Sequence, residues 1–346
     1  MALKHTAMRH LGQITNAFGL TTLATRKYGG AGAILTLHSV VGDDDRLPKE
    51  NVHTSARFLE KMLRYYLAKR IPVLSLSDAL AKLETGSTSR FVCFTFDDGY
   101  RDNLTLALPI FKKYGLPFTI YVTSAYLERS YRDYWWGQLR HLVRDNSAIA
   151  GGVLDEHLPI SSLEEKIRAY RKLVRWVEDG TLGVERLATL FERNHITASK
   201  ALDRDAMSVA ELAAVARAEP LLEIGGHTTT HTRLSLLDES AVLNELGRNK
   251  RQLESIVERE VRHFAYPFGD PASCGERDFR LARAAGFKTA VTTRIGNLFP
   301  EHLEHRFALP RLRFIGPCES LGFMESQRSG AVTALETRFG NPVRLA

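Results

Sequence analysis

Two adjacent carboxylates, Asp97 and Asp98, directly follow an apolar stretch, residues 91–96, and precede Gly99. The stretch is rich in β-branched and aromatic residues, which favour a buried strand. Adjacent side chains on an extended backbone point in different directions, so one carboxylate can face a bound metal ion while its neighbour has a different role. Asp-Gly is also a common turn pair. Taken alone, the pattern supports a turn as well as it supports a site.

A histidine pair, His227 and His231, follows a second apolar stretch, residues 221–226. The spacing of four residues predicts that both imidazoles lie on one side of a helical turn, where they can bind one cation. Two imidazoles and one carboxylate suit zinc and leave a fourth position for water, although they also accept cobalt, nickel or iron. Because this pair follows a strand, as Asp98 does, it favours the metal-site interpretation of the aspartates.

Short apolar strands alternate with helical segments along most of the chain. This alternation predicts a parallel sheet or an α/β barrel, in which reactive groups collect at the carboxyl ends of the strands. His38, near the end of a predicted strand, falls at the same end as the aspartates. The predicted strands are residues 33–40, 71–76, 91–96, 116–124, 221–226, 262–270, 287–293 and 308–315, and the predicted helices are residues 55–70, 77–83, 104–114, 208–218, 238–257 and 278–285.

Between residues 126 and 205 the pattern changes to an aromatic cluster followed by helical stretches rich in Arg, Glu and Leu. We predict a helical insertion between two barrel strands that partly covers the site. The aromatic side chains could stack on a sugar ring or a lipid, but the simpler interpretation is that they fix the insertion to the barrel. They are Tyr131, Tyr134, Trp135 and Trp136.

Composition and charge exclude some classes of protein. The chain has 346 residues, of which 44% are hydrophobic and 25% charged, as in ordinary globular proteins. A net charge of +7 indicates a mild preference for anionic surfaces, but no basic block with interleaved aromatics favours nucleic acid. Three widely spaced cysteines, Cys93, Cys274 and Cys318, fit neither a disulfide framework nor a zinc finger, and they indicate a reducing, cytoplasmic location.

Residues 1–30 are predicted to be an amphipathic leader, because polar residues interrupt every candidate signal-peptide core and no membrane span is found. We expect this helix to pack on the domain; peripheral contact with an anionic membrane at its inner face is the second hypothesis. Residues 31–316 form the predicted domain, and residues 317–346 a tail without recognisable chemistry. The apolar face of the leader comprises Met8, Leu11, Ile14, Phe18 and Leu23.

Three motifs, FTFDDG, HTTTH and FAYPFG, occur in this order and each follows a predicted strand. With them the chain resembles the polysaccharide deacetylases with a NodB-homology domain, carbohydrate esterase family four, over roughly residues 32–315. The first two motifs together are specific, and the third is looser. The resemblance implies a distorted (β/α) barrel, a divalent metal that is usually zinc, and hydrolysis of N-acetyl groups on amino sugars.

Carried over by motif, the resemblance implies that Asp98, His227 and His231 bind the metal. Asp97 would be the base that activates the attacking water. Phe268 and Tyr100 are predicted on the oxyanion and substrate side of the site, Phe268 through its backbone N–H.

The general acid and one arginine depart from the usual order of the family. The front stretch ILTLH is similar to a late-strand motif moved to the N-terminus, as in permuted deacetylases of poly-N-acetylglucosamine, so His38 is predicted to protonate the leaving amine. The third motif often begins with an arginine that orients the catalytic aspartate, but Ala265 stands there. Arg311 is predicted to supply that guanidinium.

Three functions remain open at this stage. The leading one is metal-dependent removal of acetyl from an N-acetylated amino sugar such as N-acetylglucosamine in a polysaccharide or oligosaccharide. The second is a deacetylase or deformylase of a lipid-linked precursor of the cell envelope. The third is a carbohydrate-binding relative without catalysis, which the retention of Asp97, Asp98 and both histidines disfavours.

Overall fold

The computed structural model of the chain describes residues 20–49, 52–86, 89–150, 156–313 and 319–343. The strands are β1 (Gly32–Leu37), β2 (Ser39–Val41), β3 (His53–Ser55), β4 (Phe91–Phe96), β5 (Phe118–Val122), β6 (Leu222–Gly226), β7 (His263–Ala265), β8 (Thr289–Ile295) and β9 (Leu309–Arg313). The helices are α1 (Leu20–Tyr28), α2 (Ala56–Ala68), α3 (Leu76–Glu84), α4 (Leu108–Tyr114), α5 (Ser124–Leu127), α6 (Trp135–Asp145), α7 (Leu163–Glu178), α8 (Val184–Arg193), α9 (Ala198–Asp205), α10 (Val209–Ala218), α11 (Glu239–Val257), α12 (Glu276–Ala284), α13 (Leu321–Arg328) and α14 (Ala331–Glu336).

The strands β1, β4, β5, β6, β7, β8 and β9, in this order, form a closed parallel barrel. The barrel closes because β1 pairs in parallel with β9 as well as with β4. This confirms the prediction of a distorted (β/α) barrel, and it brings the carboxyl ends of all seven strands to one rim.

Alternate residues along each barrel strand enter two different cores, as the two-residue period of a strand requires. Leu35 and Phe94 belong to the large cluster that packs against the surrounding helices. Their neighbours Ile34 and Cys93 belong to a second cluster that also takes in Tyr121 of β5 and residues of β7, β8 and β9. The side chains of this second set therefore fill the barrel. Polar side chains that point to the same side of their strands, such as Asp97 after Cys93, lie at its rim.

The structure corrects two predicted strands. Residues 33–40 form two strands rather than one, because β2 leaves the barrel after His38 and pairs in parallel with β3. Residues 71–76 contain no strand; Val73 makes a single bridge to Val92, and Ser75 already caps the N-terminus of α3. Pro72 has no N–H to offer a strand ladder, which explains why the pairing stops there.

The helix predicted over residues 104–114 is confirmed, but its first part is π-helical. The helical backbone runs without a break from the π-helical turn, Asn103–Ala107, into α4, and Pro109 lies in the first turn of α4. Since a proline removes one hydrogen bond of a regular α-helix, the irregular turn lies next to the residue that cannot complete the regular pattern. The helix ends at Gly115, whose φ of 62° suits a left-handed cap.

The helical insertion has a small core of its own, built from α6, α7 and α8. A separate aromatic cluster joins it to the barrel, with Tyr100 from the loop after β4 packing among Tyr126 and Tyr134 of the insertion. Both insertion tyrosines are buried. This supports the interpretation that the aromatic residues fix the insertion to the barrel.

Residues 1–19, which carry most of the predicted amphipathic face, and Cys318 lie outside the described residues. The segment after residue 318 forms α13 and α14 and reaches α1: Tyr28 Oη donates to the carbonyl of Gly340 at 3.0 Å. The side chain of Asn297 donates to the carbonyls of Tyr28 and Arg328 and so links α1 to α13. Within the described part of the chain, no helix is long and apolar enough to cross a bilayer.

Candidate active site

Asp98, His227 and His231 come together at the carboxyl ends of β4 and β6. Asp98 Oδ1 lies 3.4 Å from Nε2 of His227 and 3.3 Å from Nε2 of His231. The potential ligand atoms all lie within 4.8 Å of one another. Asp98 Oδ1 is buried and has no hydrogen-bond partner. A buried carboxylate oxygen left unpaired between two imidazole nitrogens is satisfied by a cation, so these residues fit a divalent metal.

A backbone carbonyl fixes the tautomer of His227. Its Nδ1 lies 2.7 Å from the carbonyl oxygen of Ala265 and donates to it, so that in the neutral imidazole Nε2, on the side of Asp98, is the nitrogen with the free lone pair. A carbonyl partner of this kind orients a metal-binding imidazole in many sites. The residue that replaces the family's arginine in the third motif therefore contributes its backbone to the site.

The segment from His227 to His231 is a loop, and the helical turn predicted for it is wrong. Thr228 and His231 have φ of 62° and 57°, which no α-helix contains. The carboxylate of Glu245 in α11 accepts from the N–H of Thr230 at 2.8 Å, and Thr228 Oγ1 accepts from the N–H of His231 at 3.0 Å. Side chains thus take the place of helical hydrogen bonds, while the imidazoles still converge with ring centroids 5.0 Å apart.

Asn249 is a supporting residue that the sequence analysis missed. It is fully buried in α11; its side-chain amide donates to Val122 O and Ser124 Oγ, and its Oδ1 accepts from the N–H of His227. It therefore ties the ends of β5 and β6 together behind the metal-binding loop. One signal was available: Asn249 interrupts the apolar stripe of α11 formed by Val242, Leu246 and Leu253.

Asp97 is held by Arg311. The two terminal guanidinium nitrogens donate to the two carboxylate oxygens of Asp97, each at 2.7 Å. Arg311 is completely buried; its Nε donates to Thr292 O at 2.8 Å, and its Nη1 also contacts Thr95 Oγ1 at 3.2 Å. The structure thus places a guanidinium against Asp97 from β9 instead of from the third motif, whereas its effect on catalysis stays a prediction.

The surroundings keep both aspartates ionised. Burial raises the pKa of Asp97, but the paired guanidinium of Arg311 outweighs burial and holds that pKa below its usual value. Burial likewise raises the pKa of Asp98, and the imidazoles of His227 and His231 outweigh it and hold the pKa well below its usual value. At neutral pH, Asp97 is therefore able to accept a proton and Asp98 to bind a cation.

His38 lies at the break between β1 and β2, with Nε2 3.9 Å from Asp97 Oδ2. Its carbonyl accepts from the side-chain amide of Asn103 at 2.8 Å, which fixes the backbone at the break. Burial lowers the pKa of His38 by more than the carboxylates of Asp98 and Asp97 raise it. The imidazole is therefore mainly neutral at rest.

Phe268 lies beside the metal-binding residues, its ring 5.2 Å from that of His231. It has a φ of 62°, and the residue is 43% exposed. Among the described residues, none accepts from its backbone N–H. That N–H is therefore available to a ligand.

Tyr100 is placed differently. Its hydroxyl accepts from Trp136 Nε1 at 3.1 Å, and its ring is buried against Tyr126. The residue joins the barrel to the insertion, and a direct contact with substrate stays a prediction.

Comparison with known proteins agrees with this geometry. A family model described as polysaccharide deacetylase matches residues 85–152 and 178–290, more than half of the chain. The chain belongs to the polysaccharide deacetylase family. This confirms the resemblance stated from the three motifs.

A sequence relative and three solved structures extend the comparison. The Bacillus subtilis protein YxkH, whose name assigns it to the polysaccharide deacetylases, is 27% identical over 131 residues, which span 38% of this chain and 44% of YxkH. The Streptococcus pyogenes deacetylase PplD, solved in complex with acetate, has a TM-score of 0.54 at 16% identity, covering 82% of this chain and 92% of PplD.

IcaB from Ammonifex degensii has a TM-score of 0.54 at 17% identity, covering 87% of this chain and 98% of IcaB. A de-N-acetylase from Aggregatibacter actinomycetemcomitans also has a TM-score of 0.54, at 14% identity, covering 86% of this chain and 99% of that protein. At these identities the solved structures support the fold, and the motifs of this chain carry the argument about its site.

Proposed function

We propose that this member of the family is a metal-dependent deacetylase that hydrolyses the N-acetyl group of an N-acetylated amino sugar in an oligosaccharide or polysaccharide. One observation carries the proposal: the cluster of Asp98, His227 and His231 adjoins a second carboxylate, Asp97, that Arg311 holds in a fixed orientation. A metal site beside an ionised base is what hydrolysis of an unactivated amide needs.

Asp98, His227 and His231 would hold the metal, and their donor set favours zinc. A bound divalent ion supplies Lewis-acid chemistry, because it polarises an acyl oxygen and lowers the pKa of water. The backbone N–H of Phe268 would donate to the oxygen that gains charge as the acyl carbon becomes tetrahedral.

Asp97 would take the proton of the attacking water. Its pairing with Arg311 keeps it ionised and fixes the direction of its carboxylate, and each carboxylate oxygen retains a lone pair for a further hydrogen bond. His38 would give a proton to the departing amine. Since its imidazole is mainly neutral at rest, it has to gain that proton before the carbon–nitrogen bond breaks.

The experiment is to measure bound metal and acetate release from N-acetylglucosamine oligomers for the unmutated chain and Asp97→Asn. We expect about one metal ion per chain in both proteins and acetate from the unmutated chain alone. Asp238→Asn, which alters an exposed carboxylate at the start of α11, is the matched control and should leave both quantities unchanged. Absence of bound metal would contradict the proposal. If the protein binds metal but releases no acetate, the metal site stands and the same measurement is repeated with formylated or lipid-linked sugars.

A further inference from the structure

The imidazole of His38 has little support from other side chains. Its Nε2 lies 3.9 Å from Asp97 Oδ2, and within the described part of the chain the ring makes no hydrogen bond. The side chain is 22% exposed, so its neighbours do not enclose it completely. The position of this imidazole relative to Asp97 therefore depends on the backbone that carries it.

That backbone lies where the hydrogen-bond ladder of β1 ends. The N–H of Asp97 donates to the carbonyl of Leu37, the last residue of β1, at 2.9 Å. The next carbonyl, that of His38, accepts from the side-chain amide of Asn103 at 2.8 Å instead of from a strand. Because a backbone carbonyl away from water needs a partner, Asn103 replaces the sheet at this residue.

Asn103 is fully buried, and two acceptors set the orientation of its amide. Its Nδ2 donates to His38 O and to Asp102 Oδ1, each at 2.8 Å. Turning the amide round would place its oxygen against both of these oxygens, so the donor side faces His38. Among the described residues, no group donates to Asn103 Oδ1. Since a buried oxygen left without a partner costs stability, the value of Asn103 at this position lies in the two bonds of its nitrogen.

Asp102 holds the next residue of the same segment. Its Oδ2 accepts from the hydroxyl of Ser39 at 2.5 Å, while its Oδ1 accepts from Asn103. Two adjacent side chains thus bind two adjacent residues, His38 and Ser39, at the point where the chain leaves the barrel. The π-helical turn begins directly after Asp102, and π-helical turns occur frequently at functional sites.

We propose that Asp102 and Asn103 are positioning residues for the proton donor, because they hold the backbone of His38 so that its imidazole stays beside Asp97. The inference rests on the proposed function, in which His38 gives its proton to the departing amine. The two side chains bond to the segment that carries the imidazole and not to the imidazole itself. They act through His38, and a displacement of a catalytic group by about 1 Å can lower a rate about a hundredfold.

The test compares two substrates in one variant. Asn103→Leu removes the donor to His38 O, so hydrolysis of N-acetylglucosamine oligomers should become about 10–100-fold slower. Turnover of an aryl acetate, whose phenolate leaves without a proton, should fall far less. The ratio of the two rates decides the question, because a smaller fraction of folded protein lowers both rates equally.

Asn297→Leu is the matched control. Asn297 is also fully buried, its Nδ2 donates to Tyr28 O at 2.9 Å, and its Oδ1 likewise has no donor within the described ranges. It precedes Leu298, which pairs with the first residue of β1, at the other end of that strand from His38. This variant should lose stability as the first one does, and it should keep the rate ratio of the unmutated chain.

Ser39→Ala is a second, smaller change that keeps the test open if Asn103→Leu does not fold. It removes the hydrogen bond to Asp102, and the rate ratio should fall roughly two- to tenfold. In a chain that already carries His38→Ala, neither substitution should slow hydrolysis of the oligomers further, because residues that act through one group are not additive.

Two results would overturn the inference and leave the proposed function standing. One is an unchanged rate ratio in the folded variants at Asn103 and Ser39. The other is a loss of oligomer hydrolysis that persists at full size in the His38→Ala chain, since it would show that the residues do not act through the imidazole. If the unmutated chain releases no acetate from the oligomers, the proposed function fails and this inference fails with it.

Discussion

The guanidinium of Arg311, on the last strand of the barrel, holds both carboxylate oxygens of Asp97, which directly follows β4, at 2.7 Å. The two strands are not neighbours, since β1 lies between them in the barrel. The ion pair therefore spans the inside of the barrel, where Arg311 is fully buried. The orientation of the Asp97 carboxylate, the proposed base, therefore depends on β9 being in place beside β1.

Replacing Arg311 tests this dependence. Arg311→Ala leaves Asp97 buried without a counter-charge, so the free energy of unfolding should fall by about 3–5 kcal/mol. Arg311→Lys keeps a charge but loses the two-pronged contact, and it should fold while kcat falls and KM stays nearly constant. Urea unfolding and steady-state kinetics measure the two effects. Unchanged turnover in both variants would show that Arg311 has no part in catalysis.

Removal of the metal should destabilise the chain. A ligand that binds the folded state alone adds stability in proportion to the logarithm of its concentration, so a chelator should lower the melting temperature and restored zinc should raise it again. His231→Ala should bind metal weakly and show little response. His305→Ala, which changes an exposed histidine away from the cluster, should respond like the unmutated chain. An equal response of the His231 variant would contradict the ligand assignment.

Asn249 should influence metal binding although it does not contact the cluster's ligand atoms. Asn249→Leu removes the hydrogen bonds to His227 N, Val122 O and Ser124 Oγ, and the metal affinity should fall about 10–100-fold. Competition with a chromogenic chelator measures the affinity. Asn244→Leu, on the exposed face of the same helix, is the control. Equal metal affinities in the two variants would show that the loop from His227 to His231 does not depend on Asn249 for its orientation.

A general acid matters most when the leaving group is a poor one. His38→Ala should therefore slow amide hydrolysis by about 10²–10⁴-fold, whereas an aryl acetate, whose phenolate leaves without a proton, should be affected far less. Comparing the two substrates on one variant separates proton donation from general damage to the site. A similar loss on both substrates would mean that His38 orients the site instead of donating a proton.

Asp102 makes the stability of the chain depend on pH. Burial raises the pKa of its carboxyl to about 7, although the hydrogen bond from Ser39 lowers that pKa. Because the folded pKa exceeds the unfolded one, protonated Asp102 stabilises the fold at low pH, and this stability is lost as the pH rises towards 7.

The variant Asp102→Asn cannot ionise and should lack this dependence. The free energy of unfolding of the variant minus that of the unmutated chain should increase by an amount on the order of 2 kcal/mol between about pH 4 and about pH 8. This is less than the full pKa shift implies, because the side chain of Asp102 is partly exposed. Denaturant unfolding at the two pH values measures the difference. A constant difference would contradict the raised pKa.

Much of the barrel and its reactive rim follows from the sequence, because a closed parallel barrel brings the residues after Phe96 and Gly226 to one end whatever the details of the loops. Local spacing could not decide the conformation between His227 and His231. Glu245 and Asn249, which are distant in sequence, impose the loop through their side chains. A four-residue spacing is compatible with either structure until those contacts are known.

The break between β1 and β2 at His38 could not be predicted from the sequence for a similar reason. Strands β2 and β3 have three residues each, too few to show a period of their own, and the exit from the barrel is fixed by Asn103 and Asp102 on another strand's loop. Composition predicted that the insertion exists, but only the packing of Tyr100, Tyr126 and Tyr134 shows where it lies.

The pairing of the first and last barrel strands has a consequence for the chain as it is made. The ribosome delivers β1 early and β9 late, and nascent domains generally fold as units from the N-terminus. Until β9 emerges, one edge of β1 stays without its partner and Asp97 lacks Arg311. The chain thus completes its proposed catalytic base with one of the last barrel segments to be translated, so a prematurely terminated product would carry the metal-binding motifs without the residue that keeps the base in place.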